Sequence, residues 1–151
     1  MPDPMRRTTA RVVPVNRDGE VLLLFGRDPK RPDLPFWFTI GGATEPGETL
    51  AEAGSREMLE ETGIAVRPDD LVGPYHRGVH EFCWNGWDIA NDSHFFAVRL
   101  DDVTVSFDGL EPLEVGNVLD SGWWSPRRMP QELASPDLPE VARLAVAAVG
   151  L

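Results

Sequence analysis

The chain reads as an α/β protein built on a mixed β-sheet, and three observations point there. Short β-branched and apolar runs recur between turns rich in Gly, Asn and Asp, and only two longer stretches carry helical periodicity. The chain has 151 residues with 42% hydrophobic content, enough for one domain (1–151) with a real core. It holds no internal repeat and no low-complexity tract.

From the N-terminus, Thr8 to Val15 and Val21 to Phe25 predict two strands joined by Asn16-Arg17-Asp18-Gly19, a hairpin turn. Phe36 to Ile40 predict a third strand leading into Gly41-Gly42. Glu45-Pro46-Gly47 is turn chemistry, and Thr49 followed three residues later by Glu52 fits a capping box, so a helix is predicted from about Leu50 to Thr62. Gly63 suits the left-handed residue that ends many helices. Beyond it, Leu71 to His76, Val79 to Trp84 and His94 to Leu100 predict further strands, with Asn85 to Ser93 crossing between two of them as a turn able to rim a pocket. A short helical turn suits Met129 to Leu133, among Pro126, Pro130, Pro136 and Pro139. A last helix is predicted from Pro139 to Val149, with Val141, Leu144, Ala145 and Ala148 on its packing face.

The first helix carries the chemistry. Glu57, Glu60 and Glu61 stand at i, i+3 and i+4 and crowd one face, where each like-charged pair costs roughly 0.2 to 0.5 kcal/mol. A hard divalent cation, which takes carboxylate and carbonyl oxygens, offsets such a cost. Two adjacent glycines, Gly41 and Gly42, allow a backbone carbonyl to approach the same ion. Ala51, Ser55, Met58, Leu59 and Thr62 share the opposite side, which predicts Met58 and Leu59 as core, while Ala53 and Gly54 leave room for backbone beside the acids. Arg56 lies at i±4 from Glu52 and Glu60, an ordinary helix ion pair, and its guanidinium fork can also clamp a catalytic carboxylate or Glu48.

A lone pair of glutamates on a helix is most often a solvated acidic face. Here Gly42, Glu48, Arg56, Glu57, Met58, Glu60, Glu61, Gly63 and Ile64 fill every fixed place of G-x5-E-x7-R-E-U-x-E-E-x-G-U, with U aliphatic. The stretch resembles the signature of the Nudix hydrolase family, the MutT-like pyrophosphohydrolases. That resemblance implies the Nudix fold, an α/β/α sandwich around the mixed sheet. It implies Mg²⁺-dependent hydrolysis, with Mn²⁺ able to substitute, of a pyrophosphate bond in a nucleoside diphosphate linked to another group. It also implies Glu57, Glu60 and Glu61 as metal ligands with the carbonyl of Gly41 or Gly42, and Arg56 and Glu48 in support. The general base is Glu57 in some members and an acid on a later loop in others, which here offers Glu111 and Glu114, with Glu114 the candidate retained. Such acids are more commonly plain surface residues. The physics is consistent: a divalent ion neutralises a pyrophosphate leaving group and lowers the pKa of water it holds.

Ile40 stands where many members have Pro before the glycine pair, which alters the turn and not the ligand set. No Ser-Gln-Pro-Trp run of the NADH-hydrolysing kind follows the motif. A nucleoside triphosphate, an ADP-sugar and a dinucleoside polyphosphate stay open as substrates. The competing reading is a Nudix-fold sensor that binds a nucleotide without cleaving it; such proteins typically lose the glutamates this chain keeps. An isomerase on the same fold would need a cysteine upstream of the motif, and Cys83 lies downstream.

A net charge of −11, with six acids against one arginine between Gly42 and Ile64, argues against binding a long nucleic acid through its phosphates and favours small substrates that arrive with Mg²⁺. Met1 to Thr9 has no apolar run of a secretory signal, and Val141 to Val149 is too short to span a bilayer, so a cytoplasmic enzyme without a membrane partner is expected; a homodimer stays open. Cys83 reads as a small buried hydrophobe. His76, His80 and His94 read as structural or substrate-contact residues, since no cysteine pattern supports zinc. Among the aromatics Trp37, Tyr75, Phe82, Trp84, Trp87 and Trp123, any of which could stack a base, Trp87 is the least core-like.

Overall fold

A computed structural model describes residues 3–151; Met1 and Pro2, the start of the stretch read above for a leader, lie outside the described residues. The strands are β1 (Met5–Val15), β2 (Val21–Gly26), β3 (Phe36–Phe38), β4 (Ile40–Ala43), β5 (Val72–Trp84), β6 (Trp87–Arg99) and β7 (Val118–Trp124), and the helices are α1 (Leu50–Thr62) and α2 (Leu138–Ala148). The sheet runs β3-β2-β1-β6-β5, with β4 also pairing to β1 and β7 to β2. Only the β1–β6 pair is parallel; the others are antiparallel.

Alternation along the strands feeds two cores. Ala10, Val12, Leu22, Leu24 and Phe96 face α1 and its Met58, whereas Val13, Val15, Val21, Leu23 and Phe95 face α2 and its Val141 and Ala145. Helix, sheet and helix therefore stack as the expected α/β/α sandwich. No helix among the described residues is long and apolar enough to cross a membrane.

Helix α1 begins where its caps dictate. Thr49 Oγ1 accepts from Glu52 N–H at 3.1 Å while Glu52 Oε1 accepts from Thr49 N–H at 2.9 Å, and Gly63 closes the far end at φ 72° with its N–H on Leu59 O. Thr49→Ala removes one half of this exchange, and thermal or urea unfolding is expected to show a loss of about 1 kcal/mol with little change in activity.

Several elements differ from the sequence reading. The predicted strands Leu71–His76 and Val79–Trp84 form one strand, β5, which starts at Val72 and continues through Gly78, paired to Ser93; a Cβ on Gly78 would meet His80 Nε2 at 3.0 Å. The Asn85–Ser93 turn shrinks to Asn85 and Gly86, at φ 50° and 84°, a two-residue hairpin, and β6 starts at Trp87. Its polar residues Asn91 and Ser93 are buried by partners: Asn91 Oδ1 accepts from Arg7 Nε at 3.0 Å, and Ser93 Oγ lies 2.8 Å from Thr9 Oγ1. Phe36–Ile40 divides at Thr39 into β3 and β4. Val118–Trp124, for which no strand is predicted from sequence, pairs with β2 as β7. Met129–Leu133 forms no helical turn; Leu133 bridges to Trp37 instead. Leu59 is 52% exposed, because the buried flank of α1 passes through Ala53, Glu57, Met58 and Glu61. Cys83 is exposed near the tip of the β5–β6 hairpin, where no layer covers it.

Candidate active site

Helix α1 and strand β4 meet at their polar edges. Gly41, at φ 146°, takes a conformation that favours glycine, and its N–H donates to Glu61 Oε1 at 2.8 Å. A Cβ on Gly42 would lie 2.5 Å from Glu57 Oε1, so the bare backbone is what admits that carboxylate. Glu61 is fully buried and Glu57 nearly so.

Arg56 organises the acids around it. Its Nε and Nη2 donate to the two oxygens of Glu48 at 2.8 and 3.0 Å, a bidentate grip, and Nη2 also donates to Ala43 O at 3.0 Å. Nη1 reaches Glu57 Oε1 at 2.9 Å and Glu60 Oε2 at 3.3 Å. The expected Glu52 pairing does not form, since Glu52 is held in the capping box. The hydrogen bond from Arg56 holds Glu48 below the ordinary carboxylate range, and Glu48 in turn raises the proton affinity of the guanidinium.

Glu114 comes from far along the chain. Turns between Glu111 and Val118, with Glu114 N–H on Glu111 O at 2.8 Å, carry its half-buried side chain to within hydrogen-bonding reach of Glu61. Glu111 is exposed, and its charge acts on Glu60 and Glu114. Burial raises the pKa of Glu57, Glu60, Glu61 and Glu114 alike; the charge of Glu57 adds to it at Glu60 and Glu61, and Arg56 opposes it at Glu57. Arg7 and Arg11 project from β1 close enough to act on Glu57, and Arg11 also on Glu61. Neither arginine is assigned a role from sequence; their i, i+4 spacing, which puts both on one face of a strand, is the available signal.

The other side chains singled out from sequence lie apart. His76 Nε2 and His80 Nε2 stand 3.8 and 3.3 Å from Asp137 Oδ2, and His94 Nε2 stands 3.4 Å from Asp92 Oδ1, so the three histidines form no common site. Trp37 packs against Phe25 and Trp124 with ring centroids 4.8 and 5.1 Å away, Trp123 joins the α1-side core, and Tyr75 donates its hydroxyl to Val141 O at 3.0 Å. Trp87 is 62% exposed.

The family model described as NUDIX domain matches residues 5–144. The chain belongs to the Nudix family. A relative from Bacillus subtilis (strain 168), provisionally named an 8-oxo-dGTP diphosphatase, is 31% identical over 119 residues, which cover 79% of this chain and 66% of that protein. An RNA pyrophosphohydrolase from Erythrobacter litoralis (strain HTCC2594) is 30% identical over 110 residues, 68% of this chain and 66% of its own length. The chain thus spans just under two thirds of each. Among solved structures, the E. coli dihydroneopterin triphosphate pyrophosphohydrolase superposes with a TM-score of 0.68 at 20% identity, covering 96% of this chain and 99% of that one, a likeness of fold.

The Nudix fold implies a divalent cation, and the donor set fits one. Glu57, Glu60, Glu61 and Glu114 are all hard oxygen donors, crowded enough to resist ionising together, and Gly42 leaves the Glu57 carboxylate open against the backbone. Among the described residues no three acids converge on a single point, and Arg56 Nη1 stands between Glu57 and Glu60, 2.9 and 3.3 Å from their oxygens.

The buried acid makes the metal-free protein sensitive to pH. The folded-state pKa of Glu61 lies well above its ordinary value, so the neutral form is favoured by folding: that stability is fully present below the unfolded pKa and is lost as pH rises through the folded one. Glu61→Gln mimics the neutral form. In chelator its melting temperature is expected to exceed that of the wild type at about pH 8, with the gap closing toward about pH 5; a gap independent of pH contradicts the assignment.

Proposed function

We propose that this Nudix protein hydrolyses a pyrophosphate bond in a nucleoside diphosphate linked to a further group, using Mg²⁺ or Mn²⁺, with residues 1–151 acting as one domain. One observation carries the reading: Glu57 and Glu61 meet the Gly41–Gly42 backbone from the helical face they share with Glu60, with Arg56 spanning Glu48, Glu57 and Glu60.

In this reading Glu57, Glu60 and Glu61 hold the metal with a carbonyl of Gly41 or Gly42. A divalent ion bound there would neutralise charge developing on the diphosphate and make water a stronger nucleophile. Glu48 fixes Arg56, and Arg56 orients Glu57 and Glu60, so the acids keep their geometry when substrate arrives. The proton of the attacking water passes to Glu57 or Glu114; the raised proton affinity of each suits that task. Arg7 and Arg11 offset negative charge brought in by a polyphosphate.

The B. subtilis relative makes 8-oxo-dGTP the first substrate to try, and the E. litoralis relative adds RNA. A phosphate-release screen with Mg²⁺, covering nucleoside triphosphates, ADP-sugars, dinucleoside polyphosphates and triphosphate-ended RNA, is expected to show chelator-sensitive turnover of at least one class. Analysis of the products in ¹⁸O water identifies the phosphorus attacked. Turnover that persists without divalent ion contradicts the proposal.

A further inference from the structure

Strand β5 ends the sheet, and among the described residues no strand pairs with its outer edge. The two-residue turn fixes which backbone groups face out. Trp84 and Trp87 flank that turn as a hydrogen-bonded pair, so Phe82, His80 and Gly78 bond inward to β6, while Arg77, Val79, Glu81 and Cys83 turn their N–H and C=O groups away from the sheet. From His76 to Trp84 the register is unbroken, and the stretch holds no Lys, Pro or bulge; its two edge charges, Arg77 and Glu81, are of opposite sign. Its side chains are also uncovered, Val79 at 61% and Phe82 at 38% exposure.

We propose that β5 is a homodimer interface, in which two copies of this chain join their sheets edge to edge, antiparallel about Val79. Charge selects both the occupant and the register. Outward residues must face outward residues, which allows registers two residues apart. Centring on Val79 sets Arg77 opposite Glu81 of the second copy, twice by symmetry, whereas centring on Gly78 or His80 sets Arg77 opposite Val79 or Cys83. Arg77 already holds Asp92 through Nε and Nη2 at 2.7 and 2.8 Å, which leaves Nη1 for a second carboxylate. Val79 then packs on its own symmetry mate, and Phe82 of one copy covers His76 of the other. The hydrogen-bonded pairs 77/81, 79/79 and 81/77 exchange about six backbone hydrogen bonds.

Light scattering on the eluting full-length protein, across low to high micromolar concentrations, is expected to give the mass of two 16.7 kDa chains. Glu81→Arg sets arginines face to face and is expected to weaken the dimer by about tenfold or more with an unchanged melting temperature, and the exchange Arg77→Glu with Glu81→Arg restores it. Val79→Cys with Cys83→Ser is expected to be joined by a short bis-maleimide. Wild-type Cys83 is not, since in this register the two copies' thiols lie roughly 27 Å apart at about 3.4 Å per residue. A monomeric wild type overturns the proposal, even if the edge accepts a strand from another protein. So does a dimer that Glu81→Arg leaves intact, or one that links through Cys83 and not through position 79. None of these readings depends on hydrolysis, so they stand apart from the test of activity.

Discussion

Glu60→Gln is expected to lower kcat by about 10³-fold, roughly 4 kcal/mol of transition-state stabilisation, while leaving the melting temperature near that of the wild type. The amide matches the carboxylate in shape, and Glu60 is only partly buried, so the fold loses little. What it loses is an anionic oxygen, and a hard divalent ion binds an amide oxygen far more weakly than a carboxylate. Arg56 Nη1 keeps an acceptor on the Gln side chain and also retains Glu57, which separates loss of a charge donor from loss of geometry. Steady-state rates on whichever substrate the screen identifies, with melting curves in parallel, check this. Unchanged turnover contradicts the role assigned to Glu60.

Gly42→Ala is expected to cost about 10²-fold in kcat through position alone. The new Cβ would fall 2.5 Å from Glu57 Oε1 and 2.8 Å from Glu57 Cδ, so the carboxylate must move off the backbone it abuts. That displacement also pulls on Arg56, bonded to Glu57 at 2.9 Å and bidentate to Glu48, which spreads the disturbance to the whole acid cluster. Gly47→Ala is the informative control. At φ 79° it strains the backbone, yet a Cβ there meets nothing within 4 Å, so about 1 kcal/mol of stability is lost with activity retained. Equal effects of the two substitutions on kcat contradict a steric requirement at position 42.

Local signals carried the parts of the fold that depend on neighbours in sequence. The capping box of Thr49 and Glu52, the left-handed Gly63 and the hairpin at Asn16–Gly19 each involve groups within four residues of one another, and each stands where the residues indicate. Mixed strands with two helices likewise indicated the α/β class, and the layer order came from the resemblance to the Nudix family. Errors fell where tertiary partners decide. Asn91 and Ser93 look like turn residues until Arg7 and Thr9, 84 residues away, satisfy them inside a strand. Leu-Asp-Ser-Gly in β7 lacks a strand pattern and pairs because β2 offers an edge. Leu59 was assigned to the core from periodicity, but the flank that α1 buries is the one holding Glu57 and Glu61 against β4, a choice of function over apolar burial. The proximity of Glu114 to Glu61 depends on the Glu111–Val118 turns folding back, which spacing alone does not reveal.

Direct titration of Mn²⁺, followed by loss of its free-ion EPR signal at neutral pH, tests most closely whether these acids grip a divalent ion. The wild type is expected to take up the ion, with affinity reduced about tenfold or more in Glu57→Gln and Glu60→Gln. Undiminished uptake by both variants, with both folded, would contradict the assignment of the site.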